Sequence, residues 1–396
     1  MNVAQGIDEV YAPTNAENEV PTEEIQDISP QSTGLSELER TISSRRRRRA
    51  EDGGEPEELE DTLEEEIEKP KKIQIPKDGI VIEMIEILNW LIVFSIFGVL
   101  ARLGLNALED YPGTPSTSLV WVQFVGCVIM GFLSEIKDLF ILPNDRGTSL
   151  GIFIGLTTGF CGSFTTFSSW MKECFLLMAN YPYESRPRGY SVLGLLDGVL
   201  VTLGLSLFGL RFGAHVGLFF RHTCPQFVWW TQYKSSESLV FYTRLASVVL
   251  GFGVWLGAVL MAIFIAKWRG NVLFALVFGP LGTLLRWYLS RIMNPLCKSF
   301  PLGTFTANIF ATVVIGCLSI AQMHTNGVLV SCQVINGLEN GFCGCLSTVS
   351  TFVLELSTLK PGHAWTYGLV SIVVGVIVMC LTLGVEHWRF ETYFEC

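Results

Sequence analysis

The chain predicts an all-α polytopic membrane protein, two four-helix domains of opposite orientation joined by one transmembrane helix. Three observations carry that prediction. There are nine apolar runs of membrane-crossing length, a glycine-hydroxyl-aromatic box occurs twice, and composition changes abruptly near residue 78.

Residues 1–78 are rich in Glu, Asp, Ser and Pro and carry a basic run from Arg45 to Arg49. Such a segment buries too little apolar area to offset its ordering entropy. It reads as a disordered acidic cytosolic tail, and much of the net charge of −10 belongs to it. Its arginine run reads as a solvated linker rather than a lipid patch or nuclear signal, and no nucleic-acid partner is expected. An acidic segment of this length is not the short basic n-region of a signal peptide, so the first apolar helix is expected to be retained.

A bilayer crossing needs about 20 apolar residues. By that measure spans fall near 80–105, 118–138, 150–178, 192–214, 239–266, 271–293, 302–323, 330–357 and 366–388. They group as four, one and four. The division gives a first domain at 79–214, a linker with one helix at 215–269 and a second domain at 270–396. Four crossings return the chain to its starting side and the fifth inverts the second set, so the halves are expected to be inverted repeats with a shared functional surface near the midplane.

Within this layout, the first helix of each set ends in Gly98-Val99-Leu100-Ala101-Arg102 or Gly282-Thr283-Leu284-Leu285-Arg286. An arginine inside a span either snorkels or holds a specific partner, and the recurrence of Arg102 and Arg286 favours a structural role. The second helix of each set carries a buried amide, Gln123 or Asn308, that either glues helices together or presents N–H donors to an anion. The third helix carries the box: Gly159-Phe160-Cys161-Gly162-Ser163-Phe164-Thr165-Thr166-Phe167-Ser168-Ser169-Trp170, and 182 positions later Gly341-Phe342-Cys343-Gly344-Cys345-Leu346-Ser347-Thr348-Val349-Ser350-Thr351-Phe352. Glycines, hydroxyls and aromatics at membrane depth indicate a polar path.

Other chemistries lack their residues. The eleven cysteines have no zinc-site spacing and read as small buried hydrophobes without structural disulfides. No nucleophile-base-acid grouping points to an enzyme. A proton-coupled transporter is the alternative; it would use a midplane carboxylate, whereas the box helices are read as carrying only Glu173 and Glu355, near their ends, with Asp197 alone in the next helix. Lys69, Lys71, Lys72 and Lys77 before the first helix tip the charge balance toward a cytosolic N-terminus and an extracellular C-terminus.

The doubled box, the Gly-to-Arg spacing of the first helices and the Gly303-Thr304-Phe305-Thr306-Ala307-Asn308 run resemble the CrcB/Fluc fluoride channel family, in its fused two-domain fungal form. The resemblance covers residues 80 to 390. It implies passive export of fluoride across the plasma membrane, against fluoride toxicity, by a monomer acting as an internal pseudo-dimer among membrane lipids. It also implies pores that pair the first aromatic position of one domain with the second of the other. Phe167 and Phe352 then form a working pore with Asn308 and the hydroxyls Thr166, Ser168, Thr348, Ser350 and Thr351. Val349 and Trp170, with Gln123, form a vestigial one. The family's structural Na+ maps onto the backbone carbonyls of Gly162, Thr165, Gly344 and Ser347, where serine for threonine is expected to cost nothing. Hydroxyls of the polar track are expected in part to bond the carbonyl four residues back.

Overall fold

Every element in the described part of the chain is helical, as the apolar runs require where no water satisfies backbone groups. The computed structural model describes residues 77–109, 119–137, 140, 148–180, 189–224, 237–324 and 328–386; the tail expected at residues 1–78 lies outside them except for its last two residues, which open the first helix. Helix α1 spans Lys77–Glu109 and α2 Val120–Glu135. The third crossing is composite: α3 (Thr148–Ile154), a π turn (Gly155–Cys161), a short helical turn (Gly162–Phe164), then α4 (Phe167–Met178). Next come α5 (Gly189–Thr223), α6 (Glu237–Phe264) and α7 (Phe274–Met293). Then α8 (Leu302–Met323) is followed by a second composite crossing: α9 (Leu329–Gly337), a π turn (Leu338–Cys343), a helical turn (Gly344–Leu346) and α10 (Ser350–Thr358). Helix α11 (Pro361–Met379) and a π turn (Cys380–Gly384) close the order.

Eight of the crossings among the described residues are long and apolar enough to span a membrane. The exception is α2, which has 16 residues where the apolar run 118–138 predicted a full span. At 1.5 Å per residue it covers about 24 Å. It ends just before Ile136, Lys137 and Asp138, where a charged pair interrupts the apolar run. Its backbone presses on α5 through small residues: a Cβ at Gly209 would meet Phe124 O at 2.8 Å, and one at Gly217 would meet Phe132 O at 2.9 Å. Small residues at a crossing let backbones approach when lipid supplies no hydrophobic drive between helices. Helix α5 runs nine residues past the predicted end at 214.

Helix α6 leans on α1 and α7 and on little else. Trp255 Nε1 donates to Val277 O (3.0 Å), and Arg244 Nε meets the buried Glu86 Oε2 (3.3 Å). Its other face exposes Phe241, Phe252 and Phe264, as a lipid-facing helix should. Its inner face joins a small buried cluster through Ala258, with Ile96, Val99, Ala275, Leu276 and Cys345, while the larger core lies where α2, α4, α5, α8, α10 and α11 converge on Phe167, Trp170, Met171, Val349 and Phe352.

Nine of the described cysteines are free, and five of those are buried, as expected of small hydrophobes. Cys332 departs from the expectation: it is disulfide-bonded. Its place near the start of α9, outside the central core, gave no spacing from which pairing was legible. Among the described residues no cluster of His, Cys, Asp and Glu is arranged to hold a metal.

Candidate functional site at the crossed helix breaks

Both composite crossings lose their helical course at the same box position. Thr165 and Thr166 are extended (φ −93°, ψ 151° and φ −144°, ψ 124°), as is Ser347 (φ −94°, ψ 155°). The amides beyond each break are therefore redirected. Thr166 N donates to Gln123 Oε1 (3.3 Å), Phe167 N and Ser168 N to Ser347 Oγ (3.1 and 3.0 Å), and Ser169 N to Thr166 Oγ1 (3.5 Å). In the other half Thr348 N donates to Asn308 Oδ1 (2.8 Å), Val349 N and Ser350 N to Thr165 Oγ1 (3.2 and 3.0 Å), and Thr351 N to Thr348 Oγ1 (3.5 Å). In a continuous helix these amides would serve carbonyls 162–165 and 344–347. The carbonyls of Gly162, Thr165, Gly344 and Ser347 thus lose their helical donors together, at buried positions.

The halves cap each other. Ser347 Oγ accepts the first two amides of α4, and Thr165 Oγ1 does the same at the start of α10. Each also donates to the carbonyl four residues back, Cys343 O and Cys161 O, both at 3.0 Å. The hydroxyl of Ser347 therefore closes a helix of the opposite half. Around this pair Thr166 Oγ1 lies 3.1 Å from Ser347 Oγ, Ser168 Oγ 2.9 Å from Ser347 Oγ, and Thr165 Oγ1 3.2 Å from Thr348 Oγ1. Ser350 Oγ bonds Cys161 O (3.1 Å). Back-bonding falls on Thr165 and Ser347, which lie outside the hydroxyls for which it was expected; of those, Thr166, Ser168, Thr348 and Ser350, all at most 1% exposed, knit the two breaks together. Thr351 is less buried and lies at the edge of this cluster.

The arginines cross over as well. Gly98 and Gly282 let their helices touch the break of their own half: a Cβ at Gly98 would meet Phe160 O at 2.6 Å, and one at Gly282 would meet Leu346 N at 2.9 Å. One turn on, each arginine enters the opposite break. Arg102 Nη2 donates to Asn340 O of the opposite half, and Arg286 donates to Thr158 O of the opposite half and to Cys345 O of its own (both 2.8 Å). The guanidiniums occupy the space a Cβ would need at Gly344 and Gly162. Both are 2% exposed and neither snorkels.

The two amides behave alike, despite their different lengths. Gln123 Nε2 donates to Thr166 O (2.6 Å) while its Oε1 accepts Thr166 N; Asn308 Nδ2 donates to Thr348 O (3.2 Å) while its Oδ1 accepts Thr348 N. The expected contrast between a competent Asn308 and a floppy Gln123 is absent, because burial and a two-point grip hold the longer side chain.

The aromatic positions differ between halves. Phe167 and Phe352, both fully buried, meet edge to face with centroids 5.5 Å apart and planes at 69°. Trp170 stands edge-on to Phe167 and commits its Nε1–H to Gly198 O (2.8 Å). Val349 is buried without a ring.

Beside Phe352 the structure assembles groups that the sequence did not bring together. Tyr367 packs on that ring at 5.2 Å, and its hydroxyl donates to Glu355 Oε2 (2.7 Å). Glu355 Oε1 accepts from Thr304 Oγ1 (2.6 Å) and Asn294 Nδ2 (3.4 Å). Near the opposite end of α8, Ser319 Oγ donates to Glu339 Oε1 (2.6 Å) and Lys172 Nζ meets Glu339 Oε2 (2.9 Å). Glu339 corrects the carboxylate count of the box helices: it stands inside the second one, two residues before its first glycine. The three-residue step from Phe352 to Glu355 was the available signal for the first cluster; the partners come from distant helices.

The family model described as CrcB-like protein, Camphor Resistance (CrcB), matches residues 89–210 and 273–385. The matched stretches run from within α1 to within α5 and from α7 through α11, and leave out α6. Fluoride export protein 1 of Neurospora crassa is 37% identical over 355 residues, covering 76% of this chain and 66% of that protein. Fluoride export protein 1 of Schizosaccharomyces pombe is 37% identical over 309 residues, covering 76% and 96%. The fluoride-specific ion channel FluC of Acinetobacter baumannii is 33% identical over 112 residues, 27% of this chain and 86% of that one. No solved structure matches the chain. With two family segments, each carrying its own broken box helix, the chain belongs to the CrcB family of membrane proteins.

Proposed function

We propose that this protein is a passive, fluoride-selective channel that lets cytosolic fluoride leave across the plasma membrane through one path, at Phe167 and Phe352. The observation that carries the reading is the edge-to-face phenyl pair, buried beside the helix breaks. A phenyl edge is the positive part of the ring quadrupole, so two rings offer an anion weak contacts that do not trap it. At the equivalent positions Val349 has no ring and the indole N–H of Trp170 is taken by Gly198. That second path is vestigial. A conducting path needs sites favourable enough to enter and weak enough to leave.

No fuel is required. Hydrogen fluoride enters as a neutral acid and dissociates inside, and an inside-negative potential drives the anion out by about 2.3 kcal/mol per 100 mV. The relatives named as fluoride export proteins and as a fluoride-specific channel support the substrate. The orientation is a cytosolic N-terminus and an extracellular C-terminus, and one chain suffices as a pseudo-dimer.

The carbonyls of Gly162, Thr165, Gly344 and Ser347 fit a small monovalent cation, since hard cations take oxygen donors and these have lost theirs in the helix. We read them as a structural Na+ site that neutralises the lone pairs of both breaks. Arg102 and Arg286 lie against Gly344 and Gly162, and their charge keeps cation affinity modest.

Fluoride efflux from liposomes, with chloride as control, tests the reading. Wild type and Trp170→Ile pass fluoride, while Phe167→Ile and Phe352→Ile lose it. Equal chloride flux, or loss in the Trp170 variant alone, refutes it. One observation favours a second reading, a proton-coupled transporter: the Glu355 carboxylate stands beside Phe352, bonded to Tyr367. A reversal potential that follows the fluoride gradient alone, about 59 mV per tenfold for one charge, under an imposed proton gradient excludes it.

A further inference from the structure

Helix α8 buries a polar stripe along its whole length: Thr304, Asn308, Thr312, Ser319 and Gln322. From Thr304 to Ser319 the stripe runs about 22 Å, most of a hydrocarbon core of about 30 Å. The helix packs on both α4, which carries Phe167, and α11, which carries Tyr367. One end of the stripe meets the Glu355 and Tyr367 cluster. Near the other, Ser319 holds Glu339 and Glu339 holds Lys172. Lys172 lies one turn beyond Ser168 on α4, and Glu339 one turn before Cys343; Ser168 Oγ reaches Cys343 O at 3.4 Å. The ion pair therefore sits a single helical turn outward from the central hydroxyl cluster.

The pair has no counterpart in the other half. The positions 182 residues away are Leu354 for Lys172 and Thr157 for Glu339, and Thr157 turns its hydroxyl to Phe153 O (2.8 Å). The asymmetry matches that of the aromatics. A brace needed by the fold alone would be expected in both halves, because the breaks it adjoins are built alike.

We propose that Lys172 is a fluoride-coordinating residue, an anion station at the end of the path remote from Glu355, and that Glu339 is the counter-charge that keeps its hold weak. This rests on reading Phe167 and Phe352 as the fluoride path. An ammonium has three N–H donors on a compact charge. Alone at 17% exposure it would trap anions; the carboxylate 2.9 Å away balances its charge and lets the ion leave. A carboxylate without the lysine would repel anions.

Concentration-dependent fluoride flux into liposomes is measured for wild type, Lys172→Met, Lys172→Arg, Glu339→Gln and the Lys172→Met/Glu339→Gln double variant, alongside Phe167→Ile. Even at a separation of about 10 Å, one unbalanced unit charge at an effective dielectric of about 20 changes affinity by about tenfold, which is therefore a lower bound for a charge that coordinates the ion. Lys172→Met raises the half-saturating fluoride concentration by about that factor, Glu339→Gln lowers it with a smaller maximal flux, and the double variant returns toward wild type. Lys172→Arg keeps the wild-type value within about threefold. Should Lys172→Met fail to fold, the shift in Glu339→Gln decides. Unchanged half-saturation in both single variants, with equal losses of flux and thermal stability, makes the pair a brace and overturns the proposal. Undiminished flux in Phe167→Ile removes the path reading itself, a result separable from the charge variants.

Discussion

Replacing Ser347 by alanine removes one oxygen from the centre of the protein, and the consequences can be counted. Ser347 Oγ accepts two buried amides, Phe167 N and Ser168 N, and lies within hydrogen-bond reach of Thr166 Oγ1 and Ser168 Oγ. The position is 0% exposed, so no water replaces the lost acceptor. A buried donor left without a partner costs about 1–3 kcal/mol, and two amides bring the cost to about 2–6 kcal/mol. Because both amides belong to α4, the damage appears in the half that was not mutated. Ser347→Thr restores the hydroxyl that the matching Thr165 already carries, and it is expected within about 1 kcal/mol of wild type, the range of a tolerated change of this size. The assay is denaturant unfolding in a fixed detergent, followed by fluoride efflux on the same preparations. If alanine and threonine at 347 prove equally stable, reciprocal capping contributes nothing and the reasoning fails.

Four further outcomes come from the same geometry. Asn308→Ala and Gln123→Ala each strip a two-point grip from a break and lose about 1–3 kcal/mol, but only Asn308→Ala also lowers fluoride efflux beyond its loss of folded protein. Tyr367→Phe deletes one donor to Glu355 and keeps the ring against Phe352; efflux falls several-fold while chromatographic behaviour is unchanged, and unaltered efflux would remove the cluster from the path. Gly162→Ala and Gly344→Ala place a Cβ where a guanidinium lies, so both lose at least about 1–3 kcal/mol to overpacking, read as lower yield of monodisperse protein. Exchange of Na+ for a bulky organic cation lowers the unfolding midpoint of wild type; an unchanged midpoint would remove the cation from the breaks.

The apolar runs made the crossings legible because about twenty residues without charge have few fates other than a bilayer. The doubled box fixed where the helices break, since glycines and consecutive hydroxyls at depth must be satisfied by something other than their own helix. What bonds them was not legible. A period-based reading assigns Thr and Ser hydroxyls to the carbonyl one turn back, whereas the hydroxyls of Ser168 and Ser350 reach carbonyls some 180 residues away. Gln123 misled by its length, because side-chain reach is visible in a sequence and the pocket that holds it is not. Glu339 and Lys172 lie 167 residues apart on separate helices, and the packing of α4 against the second break joins them.

Crossed capping also sets a clock on biosynthesis. When α4 enters the bilayer, the residue that will accept its first amides is still 180 codons downstream of Phe167. At about 5–20 residues per second, that half of the molecule waits roughly 10 to 40 s with an open break at membrane depth. During that interval only lipid headgroups, stray water or the insertion machinery are present to receive Phe167 N and Ser168 N. A ribosome stalled after α5 should leave a first domain that is inserted yet readily extracted or degraded, and release of the stall should harden it without any change to its own sequence.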